Sequence, residues 1–281
     1  MTIIAFVGSV FSPYYAWARQ RGRAAPENHC GINVALYGKA GKRWSMTERG
    51  KKALHRTPQA LVVGPSAVSF DGSGVTIRIN EWTVPIPTRL KGVVRIKPAA
   101  ITPGPYALDE EGRHCWWPIA PAGRATVRLE HPHLAWQGEA YMDCNWGSEP
   151  LEDGFVSWDW SRAAHPDGAA VLYDMQRRKG GRRTLSLLFD RQGGARAFAP
   201  PPPAPLPTTR IWRIARGTHC ETQNAAKVVE TLEDTPFYAR SLVSTRLAGA
   251  EVTAVHESLS LERFRKGWVR MLLPFRMPRA G

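Results

Sequence analysis

The stretch "AVSFDGSGVTIRINEWTVPIP", residues 67–87, decides the fold. Val75, Ile77 and Ile79 alternate with Thr76, Arg78 and Asn80, the two-residue period of a strand that buries one face. Asp71, Gly72, Ser73 and Gly74 separate this run from Ala67–Phe70, so the two read as an antiparallel hairpin. Extended runs recur on both sides. "GVVRIKP" (92–98), "ATVRLE" (125–130) and "LAWQGEAYMD" (134–143) precede residue 150. "FVSWDWSRA" (155–163), "AAVLYDMQRR" (169–178), "TLSLLFDR" (184–191), "TRIWRIA" (209–215), "KVVETLEDTPFYARSLVSTRL" (227–247), "EVTAVHESLSLERF" (251–264) and "WVRMLLPFRM" (268–277) follow it. Only "SMTERGKKAL" (45–54) reads as helical, with Ser45 and Glu48 at capping-box spacing. Many short strands with Gly and Pro turns predict an all-β chain of sandwiches or barrels.

The acidic, turn-rich "GSEPLEDG" (147–154) is the natural joint, giving domains over 1–148 and 149–281. "APPPPAPLP" (199–207) cannot be a central strand, because proline has no N–H to donate, and is expected to be a stiff loop. "QRRKGGRR" (176–183) reads as a solvated hairpin tip.

With 281 residues, 43% apolar content and 11 Trp, the chain can bury a core and is no disordered polymer. Its net charge of +14 attracts polyanions. No RNP pattern, zinc finger or basic helix accompanies that charge, so an anionic membrane surface is expected rather than nucleic acid. No apolar run reaches the roughly 18 residues of a membrane span, and "IIAFVGSVF" lacks the pattern of a signal peptide. A cytoplasmic location follows as an expectation. Met1 runs straight into an apolar strand without a turn or cap, which suggests a truncated start. Three of the four cysteines follow a histidine, at Cys30, Cys115 and Cys220, yet no zinc-ligand spacing appears. No metal or organic cofactor is expected, and the thiols read as reduced, packed small hydrophobes.

The chemistry is concentrated in "GEAYMDCNWG" (138–147). If extended, Tyr141, Asp143 and Asn145 share one face while Met142, Cys144 and Trp146 share the other, and both faces look buried. No Lys or Arg adjoins the carboxyl. In "GRHCWWP" (112–118), His114 and Trp116 likewise share a face. All five could line one cavity if the strands belong to one sheet in matching register. Such groups can also form a satisfied hydrogen-bond network that only ties strands together. A carboxyl in apolar surroundings has a raised pKa, because burial penalises the anion. It could protonate an alkene, with an indole face attracting the resulting cation and a held water capturing it.

The sequence resembles the carotenoid 1,2-hydratases, also called hydroxyneurosporene synthases. The likeness rests on "IIAFVGSVFSPYYAWAR", "PENHCGINVALYG", "RWSMTERG", "RHCWWP", "AYMDCNWG", "LEDTPFYARS", "HESLSLERF" and "MLLPFRMPR", which run from residue 3 to 279. It implies two tandem lipocalin-like antiparallel β-barrel domains, similar to the AttH and tocopherol-cyclase group. It also implies water addition across the 1,2 double bond of neurosporene or lycopene, with a carotenoid and water as partners and no cofactor. The family's H-x-W and Y-x-D elements match His114, Trp116, Tyr141 and Asp143. By this resemblance Asp143 would protonate C2, His114 would orient that carboxyl or take the proton of the water, and Trp116 and Tyr141 would face the cation. Other members begin with a further strand-bearing segment, and without it the first barrel would have an unpaired edge. A basic surface would place the enzyme peripherally on the inner or intracytoplasmic membrane. The rival readings are a terpenoid cyclase similar to the tocopherol cyclases and a lipocalin-like carrier without chemistry.

Overall fold

A computed structural model describes residues 1–38 and 42–280. The hairpin expected within residues 67–87 is present. Ser66–Phe70 pairs with Val75–Trp82 in the register Ala67↔Arg78 to Phe70↔Val75, and Val75, Ile77 and Ile79 are buried. The Asp71 carboxylate accepts the N–H groups of Ser73 and Gly74 at 3.0 Å each, and Gly72 supplies the positive φ of the turn.

The all-β expectation holds, and the sheets are antiparallel. An eight-stranded sheet runs in the order Leu134–Gly147, His114–His131, Arg89–Pro98, Val75–Trp82, Ser66–Phe70, Ala60–Val63, Leu54–Thr57, with Tyr106–Ala107 beside His114–His131. A seven-stranded sheet runs Ala195–Ala197, Arg182–Asp190, Gly168–Arg177, Phe155–His165, Ala250–Ser260, Tyr238–Leu247, Lys227–Asp234. Sheet membership changes between Gly147 and Phe155, where Leu151–Gly154 makes one helical turn. Packing groups the residues into two compact units, neither of them continuous in sequence. The first comprises Met1–Lys97, Arg124–Gly138 and Arg270–Gly281, and the second Pro98–Gly123 and Glu139–Val269.

In the first unit, a three-stranded sheet of Thr2–Val7, Cys30–Leu36 and Arg43–Ser45 is tied to the C-terminal segment. Arg279 pairs with the fully buried Glu48, which also bonds His29 Nδ1 at 2.9 Å. The Glu48 N–H donates to Pro278 O, and the Ala280 N–H donates to Glu48 O, both at 2.9 Å. Trp44 Nε1 donates to Arg276 O at 3.0 Å, and the Arg276 guanidinium lies 4.1 Å from the Trp44 ring centre. The core of the second unit gathers Ala163, Ala170, Leu172, Leu188, Leu247, Val252 and Ala254.

Four local expectations need correction. "SMTERGKKAL" is not a helix, because Glu48 is drawn into its buried ion pair and Ser45 ends a strand, leaving only a 3-10 turn at Lys51–Ala53. A helix forms instead at Pro13–Gln20, where the Ser12 side chain accepts the Tyr15 N–H at 3.0 Å and Pro13 starts the first turn. "TRIWRIA" is an irregular loop with Arg213 at φ 54, and "WVRMLLPFRM" is the helical pair Gly267–Leu272 and Leu273–Phe275. The proline tract does form a strand, Pro203–Leu206, confined to a two-stranded ribbon with Arg216–His219. The basic "QRRKGGRR" is a hairpin tip, with Gly180 and Gly181 at positive φ. The thiols divide: Cys30 and Cys220 are buried, Cys115 is half-buried and Cys144 is exposed.

Candidate active site

The second unit carries the residues singled out by the sequence. His114 and Trp116 lie two apart on one strand, and Tyr141 and Asp143 two apart on the next, so each pair shares a face. Trp116 is fully buried, and its indole Nε1 donates to Asp143 Oδ2 at 2.9 Å. Opposite them stands one face of the seven-stranded sheet. Tyr173, Trp160, Glu257 and Arg240 are cross-strand partners in a single row of that face. Tyr173 meets Trp116 edge-on at 5.6 Å, and Trp160 meets Tyr141 at 5.3 Å. Tyr106 packs on Trp116 at 5.7 Å, and Trp158 meets Tyr173 at 5.7 Å. Each such pair contributes roughly 0.5–1.5 kcal/mol beyond its buried area, so the rings are held in a fixed array.

Burial in this aromatic setting pushes the Asp143 carboxyl up to about 6, even though the Trp116 hydrogen bond favours the anion. Glu257 raises it further, while Tyr141 and Arg240 lower it. Arg240 is therefore the cation that inspection of chain neighbours misses. Its charge is already engaged by Glu233 at 3.1 Å and Glu257 at 2.5 Å. The Tyr141 hydroxyl lies beside Asp143 and Trp116, and burial holds its phenol well above the ordinary value.

Trp116, Tyr141 and Asp143 thus come together, whereas His114 turns elsewhere. Its Nε2 faces Glu149 Oε1 at 3.2 Å, and its Nδ1 is buried without a partner. Asp109 fixes the start of its strand by accepting the N–H groups of Arg113 and His114 at 2.8 Å each. Asn145 does not join the group: Cys144, Asn145 and Trp146 are exposed, because both faces are covered only as far as Asp143. The W-x-W of Trp158 and Trp160 is the sequence signal that could have found the opposite wall, since that spacing puts two indoles on one face of a strand. Arg240 and Glu257 carry no such local signal.

The arrangement supplies an uncommonly weak carboxylic acid, an N–H that orients it and several π faces. It can give a proton to a weak base and stabilise the cation that forms.

The family model "Carotenoid hydratase CrtC" matches residues 3–281. A protein of Thiocapsa roseopersicina named acyclic carotenoid 1,2-hydratase is 59% identical over all of this chain and 69% of its own length. One of the same name from Rubrivivax gelatinosus is 50% identical over 99% of this chain and 69% of its own. Among solved structures, an AttH protein of Nitrosomonas europaea is similar in fold, with a TM-score of 0.53 at 14% identity, covering 82% of this chain and 81% of that one.

Proposed function

Because the chain belongs to the carotenoid hydratase CrtC family, we propose that Asp143 is the proton donor in its hydration of acyclic carotenoids. The reaction needs no cofactor in this reading. The Asp143 O–H protonates C2 of the 1,2 double bond of neurosporene or lycopene, leaving a tertiary cation at C1. Water forms the C1–O bond and loses a proton, giving the 1-hydroxy product. His114, held by Glu149 at Nε2 and turned away from Asp143, acts by fixing the strand that carries Trp116, and the proton of the water passes to solvent. Trp116 positions the acid, and Tyr141 with the facing rings surrounds the cation and keeps bulk water out. A desolvated cation–π contact contributes about 2 kcal/mol, so most of the acceleration falls to the preorganised acid.

The observation that carries this reading is the raised Asp143 carboxyl held by the Trp116 indole. At pH 7 a carboxyl with a pKa near 6 is protonated in roughly a tenth of the molecules. A polyene lying against it displaces water and raises that share. The decisive test is incubation of the chain with lycopene in water enriched in heavy oxygen. A labelled hydroxyl at C1 supports hydration; an unlabelled ring product would replace it with cyclisation.

The division into lipocalin-like domains over 1–148 and 149–281 is part of the same proposal, supported by the change of sheet between Gly147 and Phe155. So is peripheral attachment to an anionic membrane, supported by the charge of +14. No helix among the described residues is long and apolar enough to cross a membrane.

A further inference from the structure

Asp159 and Ser258 occupy the face of the seven-stranded sheet opposite Trp160 and Glu257, since neighbours along a strand alternate. That second face is not idle. It floors a cleft of about 510 Å³, walled on its outer side by the proline-bearing ribbon and the loop that contains Arg213. Val156, Ile214, Pro203, Ala204 and Pro205 make much of the lining apolar.

The charged groups in the lining are mostly guanidinium. Arg182 is engaged by Asp174. Arg216 is buried, and it donates only to neutral oxygens: Pro207 O at 2.8 Å, Thr231 Oγ1 at 2.9 Å, Ser241 Oγ at 2.8 Å and Thr208 O at 3.4 Å. Arg263 donates to the carbonyls of Trp212, Pro236 and Arg213. No carboxylate lies within ion-pair distance of Arg213, Arg216 or Arg263 among the described residues. Asp234, held by the N–H groups of Ile211 and Trp212, attracts Arg216 from beyond ion-pair distance and offsets the three cations only in part, so beside an apolar cleft they form a receptor for a negative charge attached to a hydrocarbon. The remaining lining acid is Asp159, whose Oδ1 accepts from Ser258 Oγ and from the Gly217 N–H at 3.4 Å. Burial raises its carboxyl, which lessens repulsion of an incoming anion.

We propose that this cleft binds an amphiphile with an anionic head, a carboxylate or a phosphate, seated at Arg213, Arg216 and Arg263 with its chain along Val156, Ile214 and the proline ribbon. The site is separate from Asp143 and takes a class of ligand that the hydration reaction does not use.

Isothermal titration of the 281-residue chain with dodecanoate, dodecyl phosphate and dodecan-1-ol, each below its micellar concentration, tests the proposal. The anionic probes are expected to bind at one site at least tenfold more tightly than the alcohol, and whichever is preferred identifies the head group. Arg213→Asn removes a charge at a position with positive φ that asparagine tolerates, and it should cut that preference roughly tenfold. Ala204→Trp fills the cleft and should weaken the anionic probes by at least as much. Asp143→Asn should leave their binding unchanged. Circular dichroism of each variant confirms its fold. Equal binding of the alcohol, absence of binding, or indifference to both cleft substitutions would overturn the proposal.

Discussion

Asp143 and Trp116 form a pair whose effects on acidity oppose each other: burial raises the carboxyl to about 6 while the indole N–H lowers it. If the protonated form does the work, the hydration rate falls about tenfold per pH unit above that value, which a pH profile of kcat on dispersed lycopene reads directly. Trp116→Phe keeps a ring but loses the N–H, so the alkaline limb of that profile should move to higher pH; an unmoved limb would reduce the indole to packing. Asp143→Asn should lower hydration by 10²-fold or more while pigment still binds, as measured by product mass and by the absorbance of retained carotenoid. Stability has its own sign. The folded carboxyl lies above its unfolded value near 3.8, so its contribution is full below that pH and disappears as the pH rises through about 6. At this scale the sequence was informative because strand alternation is local. It was silent on Glu257 and Arg240, which reach Asp143 only through the register of strands more than ninety residues further on.

Among elements, two glycines hold His114 in place. A Cβ on Gly147 would stand 2.6 Å from Nδ1 of its ring, and one on Gly154 would stand 2.7 Å from Nε2. The ring is buried and its strand is anchored by Asp109, so it has little room to yield. Gly154→Val should therefore destabilise the chain by about 1–3 kcal/mol, visible as a lower midpoint in urea, and should change the hydration rate by displacing His114 from Glu149. The hairpin at 67–82 was legible because its turn residues act on their own backbone. The helix expected at 45–54 failed for the opposite reason: Glu48 is claimed by Arg279, a partner 231 residues away that no window contains. "WVRMLLPFRM" misled as a short apolar run, a pattern that a strand and a helix share until packing decides between them.

For the molecule as a whole, the charge of +14 predicts attachment to vesicles of anionic lipid that weakens as salt rises from 0.05 to about 0.5 M, because the Debye length shrinks from over 10 Å to a few. Co-sedimentation measures it, and binding indifferent to salt would point to an inserted apolar segment instead. The all-β class was readable from composition and turns, but the contacts of Arg276 and Arg279 with Trp44 and Glu48 were not, since they join residues 232 and 231 apart. That threading sets an order of events during synthesis. A ribosome exposes the first strands early, yet the partners of Trp44 and Glu48 lie 231 residues or more further on, so the opening strands stay incomplete until that segment emerges. Nascent chains arrested before residue 270 should be cut readily by protease around Trp44, and chains extended through residue 281 should resist.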